Sequence, residues 1–158
     1  MTSDPWSGKL APLPAVGGLN WVRIVLDTSV LVAAERSKSG ASHALLVRLP
    51  HPFFQPVISV ALFSEYRAAL LRPENLLHRS AVEAESFLDF LLSVSHLQEV
   101  FFHWRPALPD PNDDLILELA VAGGCRYIVT HNARDFSGTE RWAIAAIAPG
   151  DFLKSVRP

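Results

Sequence analysis

Acidic side chains recur in this sequence where apolar runs stop, and their types and spacing limit the chemistry open to the chain. Arg23-Ile24-Val25-Leu26 runs directly into Asp27, which is followed by two small hydroxyl residues, Thr28 and Ser29. Glu65 has small neighbours one turn away on either side, Ala61 and Ala69, and borders a face formed by Leu62, Tyr66 and Leu70. Asp110-Pro111-Asn112-Asp113-Asp114 opens a segment that is apolar nearly all round, interrupted by Glu118. Thr130-His131-Asn132-Ala133-Arg134-Asp135-Phe136 follows a later apolar run and adds a carbonyl donor, Asn132, and a carboxylate, Asp135. Oxygen donors with no nearby Cys and no His pair at ligand spacing select hard cations, Mg2+ or Mn2+ and not zinc. Two such ions roughly 3.5–4 Å apart can activate a water and stabilise the leaving oxygen of a phosphodiester.

Each acid also has an ordinary alternative. Asp27 could simply cap the next helix, since Asp, Thr and Ser are all good N-caps. Glu65 could be half-exposed and pair with a nearby Arg, as solvated helix faces commonly do. Asp135 could pair with Arg134 or cap a turn. At the start of the 110–122 segment, helix N-termini favour negative charge by about 0.3–1 kcal/mol, which accounts for one of the acids there. It does not account for Asp114 and Glu118 on one stripe of a buried helix, because like charges four residues apart repel. A divalent cation resolves that conflict.

These acids need elements to position them. The run ending at Asp27 is short, β-branched and bounded by polar turn formers, so it reads as a buried parallel strand. In open α/β sheets functional groups stand at the carboxyl ends of such strands. A helix is expected to open over Val30 to Glu35 and, after a polar break, to resume over Ala41 to Leu49 until Pro50 and Pro52 end it. Phe53 to Ile58 predicts a second strand, and Ser59 caps a helix running to about Leu71, stopped by Pro73. Ser80-Ala81-Val82-Glu83 is a capping box for a helix to about Val94. Val100 to His103 is the candidate third strand, Asp113 to Ala122 a helix closed by Gly123-Gly124, and Tyr127 to Thr130 a fourth strand. Ala143 to Ile147 is a candidate fifth strand, followed by a short helix from Pro149 to Val156. Alternating strands and helices imply an α/β fold, with a central parallel sheet of four or five strands, right-handed connections and helices on both faces.

The chain has 158 residues, 49% apolar and 19% charged, enough for one domain burying roughly two-thirds of its unfolded surface. Residues 1–21 hold several Pro and Gly and no periodicity, so they read as a flexible extension, with the domain spanning 22–156. Val22 is accordingly a candidate natural initiator, which mass spectrometry of the endogenous protein tests. The single cysteine, Cys125, has no intramolecular partner, and a reducing compartment is the simplest setting. No membrane span and no secretory signal are expected, which points to a cytoplasmic protein. Fourteen Lys plus Arg against sixteen Asp plus Glu give a net charge of -2, so a polyanionic partner must be held by local patches or bound cations.

Leu26-Asp27-Thr28-Ser29, then Ser64-Glu65-Tyr66 before Arg72-Pro73, then Asp110-Pro111-Asn112-Asp113-Asp114, then Val129 to Phe136 together resemble a PIN domain, most of all the bacterial VapC-type toxins of toxin–antitoxin pairs. The resemblance covers Val22 to Leu153. It implies a metal-dependent endoribonuclease in which Asp27, Glu65 and Asp114 hold Mg2+ or Mn2+, with Glu65 binding the ion or orienting the attacking water. Asp110 and Asp113 are implied as outer partners or substitutes for Asp114, and Thr28, Ser29, Thr130 and Asp135 as supports. The family's fourth acidic position falls on Asn132, which leaves the number of resting metals open. Arg134 and His131 would touch RNA phosphates, or be ordinary surface residues. The family further implies a homodimer and a cognate antitoxin protein whose Arg enters the acidic pocket. Leu45, Leu46, Leu49, Leu62, Phe63 and Tyr66 are either a seat for that antitoxin or core.

Two rivals remain. A phosphoaspartyl hydrolase would need a second Asp where Ser29 stands. An inactive PIN-like module that binds RNA or protein is compatible with Asn132 and with the lack of basic excess. A dinucleotide-binding domain is excluded, because no Gly-rich fingerprint follows the first strand.

Overall fold

The computed structural model describes residues 21–101 and 108–156. Five parallel strands form one sheet: β1 (Val22–Leu26), β2 (Phe54–Ile58), β3 (His96–Leu97), β4 (Tyr127–Val129) and β5 (Ala145–Ile147), in the order β3-β2-β1-β4-β5. The helices are α1 (Thr28–Arg36), α2 (Ala41–Leu46), α3 (Val60–Leu70), α4 (Ala81–Val94), α5 (Pro111–Ala122) and α6 (Pro149–Ser155). Right-handed crossovers put α1 to α4 on one face and α5 on the other. The packing follows that division, with α1 against α2 and α3, α3 against α4, and α5 against β1, β2 and β4. The expected α/β architecture is therefore present, with five strands.

Sequence chemistry explains most boundaries. Ser59 accepts the Leu62 amide at 3.1 Å to start α3, and the Ser80–Glu83 capping box starts α4 with both reciprocal bonds made. Helix α1 begins at Thr28, two residues before the expected opening at Val30. Helix α5 begins at Pro111, where a fixed φ and a missing N–H suit a first helical turn capped by Asp110. Helix α2 ends at Leu46, short of the expected Leu49, because a residue that precedes proline disfavours helical geometry and the last turn has already tightened.

Two strands differ from expectation. The third lies at His96–Leu97, paired with Val57 and Ile58 of β2, and not at Val100 to His103. Phe101 is 81% exposed, and His103 lies outside the described residues. A two-residue edge strand has too few side chains to show an alternation, whereas the apolar run after it does. Strand β5 starts at Ala145 because Ala143 has φ 60°, a left-handed conformation that no strand residue adopts.

The core runs along the strands. Ile24, Val25, Val57, Ile58, Ile128 and Val129 are wholly buried between Leu31, Leu45 and Leu62 on one side and Leu117, Leu119 and Ala120 on the other. Leu45, Leu46, Leu49, Leu62 and Tyr66 belong to this core with Phe63 packed against it, so they do not form an open antitoxin seat. Trp21 is also buried, whereas the rest of the expected extension, residues 1–20, lies outside the described residues. Among the described residues no helix is long and apolar enough to cross a membrane.

Gly123 closes α5 in contact with the sheet, where an added Cβ would stand 2.9 Å from Val57 Cγ1 and 3.3 Å from Cys125 Sγ. Its carbonyl also accepts the buried Arg23 guanidinium at 3.2 Å. A β-branched core side chain has little rotamer freedom with which to yield. Gly123→Ala is therefore expected to destabilise the fold by at least about 1 kcal/mol, measured as a lower urea midpoint with unchanged slope.

Candidate active site

The strand order reverses between β1 and β4, a switch point of the kind at which open α/β sheets leave a crevice beyond the carboxyl ends of the strands. Leu26 pairs in register with Val129, so the residues that follow, Asp27 and Thr130, emerge side by side. The Asp27 amide completes the ladder by donating to the Val129 carbonyl at 2.9 Å.

Asp27 occupies the N-cap position of α1 but makes no side-chain cap bond. Its Oδ2 instead accepts from Thr130 Oγ1 at 2.7 Å and from Ser29 Oγ at 2.9 Å. The capping explanation for this acid therefore fails: two hydroxyls hold the carboxylate at the mouth of the crevice. Thr130 is fully buried, and its oxygen also accepts the Asn132 amide at 3.0 Å. The His131 amide donates to Ser29 Oγ at 3.3 Å, and His131 Nε2 lies 2.7 Å from Ser42 Oγ on α2. The turns after β1 and β4 are thus laced into one unit.

Glu65 arrives from α3. It is half-buried, and its Oε2 accepts from Thr28 Oγ1 at 2.7 Å. The arginine nearest in sequence, Arg67, pairs with Glu85 at 2.6 Å, and Arg79 pairs with Glu35 at 2.8 Å. The partner of Glu65 is a hydroxyl next to Asp27. The neighbouring Tyr66 is buried and donates its hydroxyl to the Leu26 carbonyl. Burial first, then the charges of Asp27 and Glu65, hold that phenol well above the usual tyrosine range, which places both carboxylates around it.

The first turn of α5 supplies the remaining acids, each differently placed. Asp110 is exposed and caps the helix, its Oδ1 accepting the Asn112 amide at 2.9 Å. Asp114 is buried, and its Oδ1 accepts the Leu108 amide at 3.0 Å. Asp113 is half-buried, and its carboxyl is pushed up to about 6 by burial and then by Asp110, Asp27, Asp135 and Asp114. Four aspartates from three parts of the chain thus act on one carboxyl. Glu118, one turn beyond Asp114, is buried as well.

The structure brings together Asp27, Ser29 and Thr130 by direct bonds, Thr28 and Glu65 by another, and Asp113 with Asp27, Asp110, Asp114 and Asp135 by their charges. His131, Asn132, Arg134 and Asp135 all lie exposed in the turn after β4, and none of these bonds reaches the Arg134 side chain. Ser42 and Tyr66 join the site only through the fold, by the bonds to His131 and to the Leu26 carbonyl. A buried phenol needs a hydrogen-bond partner, so Tyr66 on the otherwise aliphatic face of α3 was a legible signal. Ser42 carried none.

Among the described residues no three Asp, Glu, His or Cys side chains already stand together as a set that could hold one ion. The chemistry of the donors nevertheless fits a hard divalent cation: they are all oxygens, and the mutual repulsion felt at Asp113 is what such a charge relieves. A family model for the PIN domain matches residues 23–134 of the 158.

The chain belongs to the PIN-domain family.

No curated protein matches it. The matched span of this PIN domain includes Asp27, Glu65, the acids at 110–114 and Asn132, and it runs from β1 into the turn after β4. A PIN domain is a nuclease-type fold, and nucleases of this family typically use divalent metals.

Proposed function

We propose that this PIN domain is a Mg2+- or Mn2+-dependent endoribonuclease and the toxin of a cytoplasmic toxin–antitoxin pair. The observation that carries the reading is the carboxylate of Asp27, which is withheld from its helix cap, held by Thr130 and Ser29, and exerts its charge on Asp113 across the switch-point crevice. A bound divalent ion would supply an activated water and charge neutralisation at the scissile phosphate. Asp27, Glu65 and Asp114 would hold it, with Asp113, Asp110 and Asn132 as further donors. One oxygen of Asp114 accepts the Leu108 amide, and Asp113, on which the charges of Asp27 and Asp114 both act, would be its substitute. Thr130 and Ser29 fix the direction of Asp27, and Thr28 fixes Glu65. His131 and Arg134, exposed beside the crevice, would contact backbone phosphates, and Asp135 would tune the field. No side-chain nucleophile is required, so products would carry 5′-phosphate and 3′-hydroxyl ends.

A second copy of the chain and a cognate antitoxin, placing an Arg among the acids, complete the proposal. The rival reading, an inactive module binding RNA or protein, is favoured by Asn132 in place of a fourth acid. Incubating the purified protein with a mixed single-stranded RNA pool separates the two. The expected result is cleavage with Mn2+, none in EDTA, and 5′-phosphate termini. Intact RNA with Mn2+ would leave the inactive module.

A further inference from the structure

The peptide unit that carries Asp27 is pinned at both ends. Its N–H, on Asp27, donates to the Val129 carbonyl at 2.9 Å, and its carbonyl, on Leu26, accepts from the Tyr66 hydroxyl. A peptide plane is rigid, so two bonds on opposite edges fix its rotation and with it the direction in which the Asp27 side chain leaves the backbone. The adjacent residue on α3 repeats the grip one step further on, where Glu65 accepts from Thr28 Oγ1 at 2.7 Å. Tyr66 is 1% exposed, with its ring in the apolar core and its hydroxyl on the Leu26 carbonyl.

We propose that Tyr66 is a positioning residue of the acidic site: from α3 its hydroxyl locks the Leu26–Asp27 peptide so that the Asp27 carboxylate is aimed for a divalent cation. This rests on the metal-dependent reading above. Tyr66→Phe keeps the ring and its packing and removes only the donor. The Leu26 carbonyl, left buried without that partner, would draw the peptide plane towards another donor and turn Asp27 with it. Partners of this kind, one bond behind the groups that hold a metal, typically govern about ten- to a hundredfold in metal affinity.

A purely structural role would lower stability without touching the metal, so the test needs a matched control. Thr139→Val removes another buried hydroxyl-to-carbonyl bond, Thr139 Oγ1 to the Ile144 carbonyl at 2.9 Å, in the turn before β5. Mn2+ binding to the intact wild-type, Y66F and T139V proteins is measured by isothermal titration below their unfolding temperatures. The expected result is that Y66F binds Mn2+ at least about tenfold more weakly than wild type, whereas T139V binds as wild type does, whatever melting temperature each loses. Equal affinity in Y66F and T139V would overturn the positioning role and leave the nuclease reading standing. A wild-type protein that binds no Mn2+ would overturn both.

Discussion

Asp27→Asn is expected to lower Mn2+-dependent RNA cleavage at least about a hundredfold while leaving the fold intact, the scale on which a single preorganised charge-stabilising group acts. The substitution keeps the shape of the side chain and an oxygen that can still accept from Thr130 and Ser29. What disappears is the formal charge at the carboxyl end of β1. The same loss removes one of the four aspartate charges that act on Asp113, so stability near neutral pH should not fall. Cleavage rate and a thermal melt on the same preparation check the two halves together. Full-rate cleavage by D27N would remove Asp27 from the mechanism, and a collapsed melting transition would make the lost activity uninformative.

How much of this was legible depended on how local each signal was. Asp27 could be found because a strand end is marked by its own neighbours, an apolar run before it and hydroxyls after it. The grouping of Asp27 with Glu65 and the α5 acids was expected from the order of motifs, but no local pattern specifies the bond from Thr28 to Glu65, made between residues 37 apart. The same limit hid Tyr66, whose partner is a backbone carbonyl 40 residues away. Strand β3 is illegible in the sequence because two residues cannot show a period, and the start of β5 is hidden because nothing in an alanine announces a positive φ. Within Asp110-Pro111-Asn112-Asp113-Asp114, sequence shows three acids and a cap signal. Only the folded chain distinguishes the cap at Asp110, the buried Asp114 tied to Leu108, and the Asp113 that bears the repulsion.

That repulsion has a measurable sign. The Asp113 carboxyl stands at about 6 in the folded protein against an ordinary 3.8, so between those values the folded state holds more protons than the unfolded state. Stability contributed by this group is therefore complete below about pH 4 and is lost as pH rises through about 6. At pH 7 and without metal, Asp113 opposes folding. Because the residue is half-exposed, solvent screening reduces the effect to on the order of 1 kcal/mol. Asp113→Asn should accordingly raise the melting temperature in EDTA at pH 7 by about 3 °C and leave it unchanged at pH 4. Adding Mn2+ should reverse the order. Wild type then gains from placing a cation among Asp27, Glu65, Asp114, Asp113 and Asp110, whereas the variant, short of one charge, should bind Mn2+ at least about tenfold more weakly. Melting curves from pH 4 to 8, with EDTA and with Mn2+, read all of this out. An Asn variant less stable than wild type in EDTA at pH 7 would mean that Asp113 is a stabilising group, and that the acids do not press on one another where the crevice opens.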